Sequence, residues 1–337
     1  QTIVDHRHRS AHGGARIYQS DAFSDEHHGK IFMANIHEHA ILSDELHAVG
    51  SGFSASHNED FLSANNAQWI GFSLEIGPGG DLYALDWHDA DICGQEVMHK
   101  ETGRVFRITP KYSSAKDWEG RYDDLRKLSD LELVNLQCSE SDWHSRRSRV
   151  ILQGRARDKP ISREAKDRLK DIFNTSEQLN HRLRAFWTQA IVGAVSENSF
   201  ISALEDDEEY VRAWAIQFLC EEPPNEVIIN RLIEMTDDNS PVVRLYLAAA
   251  MQRIDLSQRW ELATGLIANK IDNNDHNIPK MIWFAIEPLI SLDPQKAIEL
   301  AYQSEIELIS NHIGRRLVDA GSIEMLFDNL RESHLAR

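Results

Sequence analysis

Two short stretches of this 337-residue sequence repeat each other and end on side chains able to move protons or hold metals. Ile31-Phe32-Met33-Ala34-Asn35-Ile36-His37-Glu38 matches Leu82-Tyr83-Ala84-Leu85-Asp86-Trp87-His88-Asp89. Position by position, the order is aliphatic, aromatic, two apolar or small residues, Asn/Asp, large apolar, His and acid. Imidazole titrates near neutrality, so His37 and His88 are candidates for proton transfer, and equally for a repeated turn-packing role. Asp86, His88, Asp89 and Asp91 offer oxygen and imidazole ligands for Ca²⁺ or another divalent ion. They do not form the Asp-x-Asp-x-Asp-Gly pattern of a calcium loop. A short polar residue after a strand hydrogen-bonds the backbone of its own turn, and that structural role is the favoured one for Asn35 and Asp86. Cys93 has no base specified beside it and reads as a small buried residue. Cys93, Cys138 and Cys220 are far apart with no CxxC, which excludes a zinc ribbon or c-type haem attachment within the chain.

The elements that must position these residues are strands. Ala15–Gln19, Lys30–Ile36, Ser73–Ile76, Asp81–Trp87 and Arg104–Ile108 are short runs rich in aromatic and β-branched residues. Gly13-Gly14, Gly50-Ser51-Gly52 and Gly77-Pro78-Gly79-Gly80 read as the turns between them. The repeat offset of 51 residues (Ile31 to Leu82) suits one β-propeller blade of four antiparallel strands. Two blades cannot close a ring, so further blades are expected outside this sequence. With Ala15–Gln19 and Ser73–Ile76 as first strands and Lys30–Ile36 and Asp81–Trp87 as second, one face collects the polar candidates. They are His12, His37, His39, Asn65, Trp69 and His88, with Asp89, Asp91 and Cys93 beside them. Ile36 and Trp87 are expected to pack between sheets, and a working His88 needs Asp89 or Asp91 to orient it.

Beyond a linker the period becomes helical. Asp206-Asp207-Glu208-Glu209-Tyr210-Val211-Arg212 and Asp237-Asp238-Asn239-Ser240-Pro241-Val242-Val243-Arg244 each pair an acidic turn with an apolar helix face. Weaker copies end at Arg146 and Arg184. The arginines fall 38, 28 and 32 residues apart, which suits one helix hairpin per unit of a HEAT-type α-solenoid. Arg212 and Arg244 are expected to pair with acidic turns of neighbouring units, and Trp143, Trp187, Trp214 and Trp283 to lie in the core. Later pairs are Leu256–Ile271 with Ile278–Leu292, and Gln295–Ser304 with Glu305–Asp319. The fold expected is therefore β plus α: a partial propeller over 1–110, a linker over 111–123, and a solenoid over 124–337.

Composition narrows the partners. The net charge is −18, with 16 acidic and 7 basic residues before position 111 and 38 and 29 after it. Such a surface repels phosphate and argues against nucleic acid and anionic membrane. No run approaches the roughly 18 apolar residues of a membrane span. There is no P-loop and no Gly-x-Gly-x-x-Gly turn. Eleven of sixteen histidines precede residue 100, a bias that accompanies the change of periodicity. The chain opens on Gln1 in what reads as mid-domain sequence, so a fragment or processed product is expected.

Taken together, His12-Gly13-Gly14-Ala15-Arg16-Ile17-Tyr18, Gly29-Lys30-Ile31-Phe32-Met33-Ala34-Asn35-Ile36-His37, Gly50-Ser51-Gly52-Phe53, Asp60-Phe61-Leu62, Gly77-Pro78-Gly79-Gly80-Asp81-Leu82-Tyr83, Asp86-Trp87-His88-Asp89-Ala90-Asp91-Ile92-Cys93 and Thr102-Gly103-Arg104-Val105-Phe106-Arg107-Ile108 carry a resemblance. The sequence resembles the large membrane-bound dehydrogenases, or haem-binding proteins, of planctomycetes and verrucomicrobia. It does so closely in the β region and in character in the helices. The resemblance implies a bacterial, periplasmic or otherwise extracytoplasmic oxidoreductase-like protein acting on sugars or related alcohols. Its order is propeller, HEAT-like repeats, then a cytochrome c module. It also implies c-type haem, and a quinone cofactor or calcium, in parts other than this chain. The family's Cys-x-x-Cys-His is absent here, so no cofactor is expected in this chain and it should be inactive alone. The helices would then act as a scaffold toward a cytochrome or other partner. The alternative is a non-catalytic module whose groove holds a protein or glycan, a carbohydrate-type small molecule included. A metal-dependent hydrolase on the His-rich face is a third reading.

Overall fold

The computed structural model describes residues 3–4, 11–20, 22–89, 101–113, 118, 120–322, 324–325 and 327–328. The chain forms two compact units: unit 1 is Gln1–His47 with Phe53–Ala194, and unit 2 is Ala48–Gly52 with Val195–Arg337. The switch from strand to helix comes between Ile108 and Leu125, whereas the units divide after Ala194. The first helices thus belong to the same compact body as the sheets.

Strands β1 (Ile3–Val4), β2 (His12–Ile17), β3 (Ile31–Asn35), β4 (Ala40–Val49), β5 (Gly52–His57) and β6 (Leu62–Ser63) make one sheet. Its body is the antiparallel meander β2-β3-β4-β5, with β1 added parallel to β5 and β6 pairing β4. Strands β7 (Gly71–Ile76), β8 (Leu82–Asp86) and β9 (Arg104–Ile108) make a second antiparallel meander. The two share a register: Asn35 lies opposite His12 and Asp86 opposite Gly71, each beside a bulge near the start of the first strand. Gly13-Gly14 is not a turn but part of β2, because there the first strands of the two sheets meet backbone to backbone. A Cβ on Gly13 would lie 2.4 Å from the Phe72 carbonyl oxygen, and Gly14 has φ +61°. Only glycine permits that approach. Tyr18, Phe32, Ile41, Trp69, Leu74 and Leu82 form the core between the sheets. The Tyr18 hydroxyl donates to the Gly80 carbonyl (2.9 Å), which ties the Pro-Gly-Gly turn to that core.

The rest of unit 1 is helical: α1 (Asp130–Asn135), α2 (Asp142–Asp158), α3 (Arg163–Thr175) and α4 (Leu179–Ile191). Ser129 and Glu132 form a reciprocal capping box at the start of α1. Helices α1 and α3 pack together, as do α2 and α4, around Leu133, Leu152, Leu169 and Ala185. The buried side of α2 is unusually polar. Gln137, fully buried, donates to Ser148 Oγ (2.7 Å) and accepts from Thr188 Oγ1 (3.1 Å), which joins α2 to α4.

Unit 2 holds α5 (Glu197–Ala203), α6 (Glu209–Leu219), α7 (Glu226–Glu234), α8 (Pro241–Ala250), α9 (Arg259–Ile267), α10 (Ile278–Leu292), α11 (Pro294–Gln303) and α12 (Glu307–Asp319). The even-numbered helices pack in a row, α6-α8-α10-α12, and α7-α9-α11 pack in another. Helix α8 begins on Pro241, whose missing N–H costs nothing in a first turn, and the Ser240 hydroxyl accepts from the next two amides. Among the described residues no helix is long and apolar enough to cross a membrane.

Candidate functional site

Asn35 and Asp86 end their strands and build equivalent turns. Asn35 Oδ1 accepts the amides of His37 (3.2 Å) and Glu38 (3.1 Å), and its Nδ2 donates to Glu38 Oε2 (2.9 Å). Asp86 Oδ1 accepts the amides of Ile70 (2.8 Å) and His88 (2.9 Å), while Oδ2 accepts from Arg104 Nε (3.1 Å) and Nη2 (2.9 Å). His37 and His88 therefore leave the second strand of each sheet through the same kind of turn. His39 joins that end through Nδ1, 2.6 Å from the Trp69 carbonyl. Both His39 and His88 adopt left-handed backbone, with φ of 56° and 54°.

Asp86 is 1 % exposed and both its oxygens are engaged. The cation facing Asp86 is the protein's own guanidinium, Arg104. His88 is partly accessible, and its Nδ1 lies 3.3 Å from Asp86 Oδ2 and beside Arg104. Asp86 and Arg104 thus orient it. Asp89 is buried, and Asp91 and Cys93 lie outside the described residues. Among the described residues no three His, Cys, Asp or Glu side chains are grouped to hold a metal. His37 is exposed, Ile36 is half-buried, and Trp87 is 49 % exposed against Phe72 instead of packed between sheets.

A cavity of about 710 Å³ lies elsewhere in unit 1, against α2 and α4. Asp142, Arg146, Arg149 and Gln153 follow one another at intervals of four, three and four, and so share a face of α2. Asn180, Arg184 and Trp187 do the same on α4, and Gln19 and His28 complete the wall from the β region. Asp142 is shared by Arg146 (2.6 Å) and Arg184 (3.4 Å), and Arg184 also donates to the Ser139 carbonyl (2.9 Å). Arg149 has no hydrogen bond or ion pair among the described residues, and its guanidinium lies 5.1 Å from the Trp187 ring centroid. Burial, then the neighbouring Arg184, pulls its pKa down to about 10. The group stays charged at neutral pH; Asp142 offsets part of these effects, but no carboxylate is hydrogen-bonded to it among the described residues. A second cavity of about 740 Å³ adjoins the first and shares Asp142, Arg146 and Val150 with it.

Two buried histidines carry no signal in the sequence. His57 bridges Asp44 (Nδ1, 2.8 Å) and Asp60 (Nε2, 3.3 Å), locking β5 onto β4 across a spacing no motif encodes. His144 is fully buried: Nε2–H donates to the Arg121 carbonyl (3.0 Å), and Nδ1 accepts from the Ser141 hydroxyl (2.8 Å). Burial drives its pKa down to about 4, so it is neutral and structural. The thiol of Cys220 is pushed up to about 11 by burial, which removes it as a nucleophile. The four tryptophans expected in the core, Trp143, Trp187, Trp214 and Trp283, are each half-buried. Compared with family models, curated proteins and solved structures, the chain matches none.

Proposed function

We propose that the two meanders are blades of a β-propeller and the helices HEAT-type repeats of an extracytoplasmic, dehydrogenase-like protein, and that this chain is its scaffold and not its reaction centre. The strand order supports the propeller reading: β2-β3-β4-β5 and β7-β8-β9 each run in chain order, and β2 and β7 lie side by side at glycines. A recurring arginine bridge supports the repeat reading. Arg212 makes a bidentate pair with Asp238 (2.8 and 2.9 Å) and donates to the Asp206 carbonyl of its own turn. Arg244 repeats this with Asp272 (2.6 Å twice) and the Asp238 carbonyl. The helix rows would present a cytochrome or other protein partner, with haem, quinone or calcium supplied by other parts of such a protein.

One observation carries the scaffold reading: Asp86, the best-placed carboxylate of the rim, is fully engaged by two amides and Arg104. The purified chain should show no Soret band and no dye-linked oxidation of sugars or alcohols. Turnover of roughly one per second or faster would contradict the reading. The alternative, a non-catalytic module that binds a protein or glycan, draws support from the arginine-lined cavity.

A further inference from the structure

The cavity against α2 and α4 has a size and a wall that point to a particular ligand chemistry. Its volume of about 710 Å³ falls within the 300–1,000 Å³ typical of small-molecule sites. The fixed charges on its wall are Arg146, Arg149 and Arg184 against Glu140 and Asp142, three positive and two negative, leaving one positive charge. That excess sits in a chain whose net charge is −18, so general surface electrostatics do not explain it. Asp142 is spent on Arg146 and Arg184, and the unbalanced cation is Arg149. Elsewhere on the wall Gln153, Asn180 and Gln19 add amide donors and acceptors, and Trp187 adds a flat apolar face.

We infer that this cavity binds a small, hydroxyl-rich carboxylic acid of the sugar-acid type, its carboxylate on Arg149 and its hydroxyls on the surrounding amides. A single excess positive charge matches a monoanion better than a phosphate, which carries up to two charges at neutral pH. Planar guanidinium and planar carboxylate pair bidentately. The amides serve hydroxyl groups, which both donate and accept. The adjoining cavity, reached past Arg146 and Val150, leaves room for a second sugar unit. The inference requires only unit 1 and is independent of the propeller and repeat readings.

Isothermal titration of the full chain decides it, with D-galacturonate and digalacturonate as probes and galactose and inorganic phosphate as comparisons. Galacturonate should bind about tenfold or more tighter than galactose, the weight of one charge-assisted contact. Digalacturonate should bind more tightly still, and phosphate more weakly than either acid. Arg149→Met should bring galacturonate down to the level of galactose, and Arg149→Lys should restore part of the preference. Glu140→Gln, at an exposed wall position, should tighten galacturonate severalfold by removing a like charge, and it keeps the test decisive even if Arg149→Met fails to fold. Absence of binding by both acids, preference for phosphate, unchanged binding by Arg149→Met, or weaker binding by Glu140→Gln would each overturn the inference.

Discussion

Arg244 in unit 2 and Arg149 in unit 1 are both withdrawn from water, yet they meet different company. Arg244 is 3 % exposed and closed on both sides, by the Asp272 carboxylate and by a carbonyl of its own turn. Arg212 is closed in the same way 32 residues earlier. Arg184 stands where the repeat spacing would place the preceding member, but it reaches back to Ser139 and Asp142 and borders a cavity. Arg149, beside it, has a ring and open space in place of a carboxylate. A closed arginine holds helices together, because its desolvation is offset by fixed partners. An open one costs stability in the folded chain and recovers it only when an anion arrives.

The sharpest way to break this contrast is to remove one side of a closed bridge. Arg244→Met leaves the Asp272 carboxylate buried and unpaired, and should cost about 3–5 kcal/mol in urea unfolding. A cost below about 1 kcal/mol would mean that the bridge is ornamental.

A pH test comes next in size. The folded pKa of His144 lies below its ordinary 6.5, at about 4, so the unfolded chain binds the extra proton first. Its contribution is therefore intact above pH 6.5 and is lost as the pH falls toward 4, by up to about 3 kcal/mol. Urea midpoints of the native chain against His144→Gln at pH 7, 5.5 and 4.5 should converge as the solution is acidified. Parallel curves would show that His144 keeps its ordinary pKa in the folded chain.

Smaller effects separate the rim from a working site. Asp86→Asn keeps the two amide contacts and loses the ion pair to a partly exposed Arg104, for about 1–2 kcal/mol. His88→Ala should change stability by less than about 1 kcal/mol, as substitutions away from buried networks do. A much larger loss for His88→Ala than for Asp86→Asn would make the histidine, and not the carboxylate, the keystone of the turn.

Much of this architecture can be read in the sequence wherever one residue type recurs at a fixed spacing. The turn role of Asn35 and Asp86, the pairing of Arg212 and Arg244 with the next acidic turn, and the start of α8 at Pro241 are of this kind. Strand β4 is hidden in the sequence because Ser43-Asp44-Glu45 interrupts its apolar run, and Asp44 is buried only because His57 arrives from the next strand to meet it. Gly13-Gly14 reads as a turn because the close approach of Phe72, which demands glycine, lies 59 positions away in the chain. The cavity does leave a local signal, polar residues spaced by three and four on both α2 and α4. That pattern reads as an exposed face until the two helices and the β region are brought together.

The most direct measurement is a side-by-side comparison of Arg149→Met and Arg244→Met in the full chain, by urea unfolding at pH 7. If unit 1 keeps its arginine open for a ligand, Arg149→Met should leave stability within about 1 kcal/mol of the native chain or raise it, because a desolvated charge is replaced by an apolar side chain. Arg244→Met should lose about 3–5 kcal/mol in the same assay. Equal losses in the two variants would contradict the contrast and make Arg149 one more structural arginine.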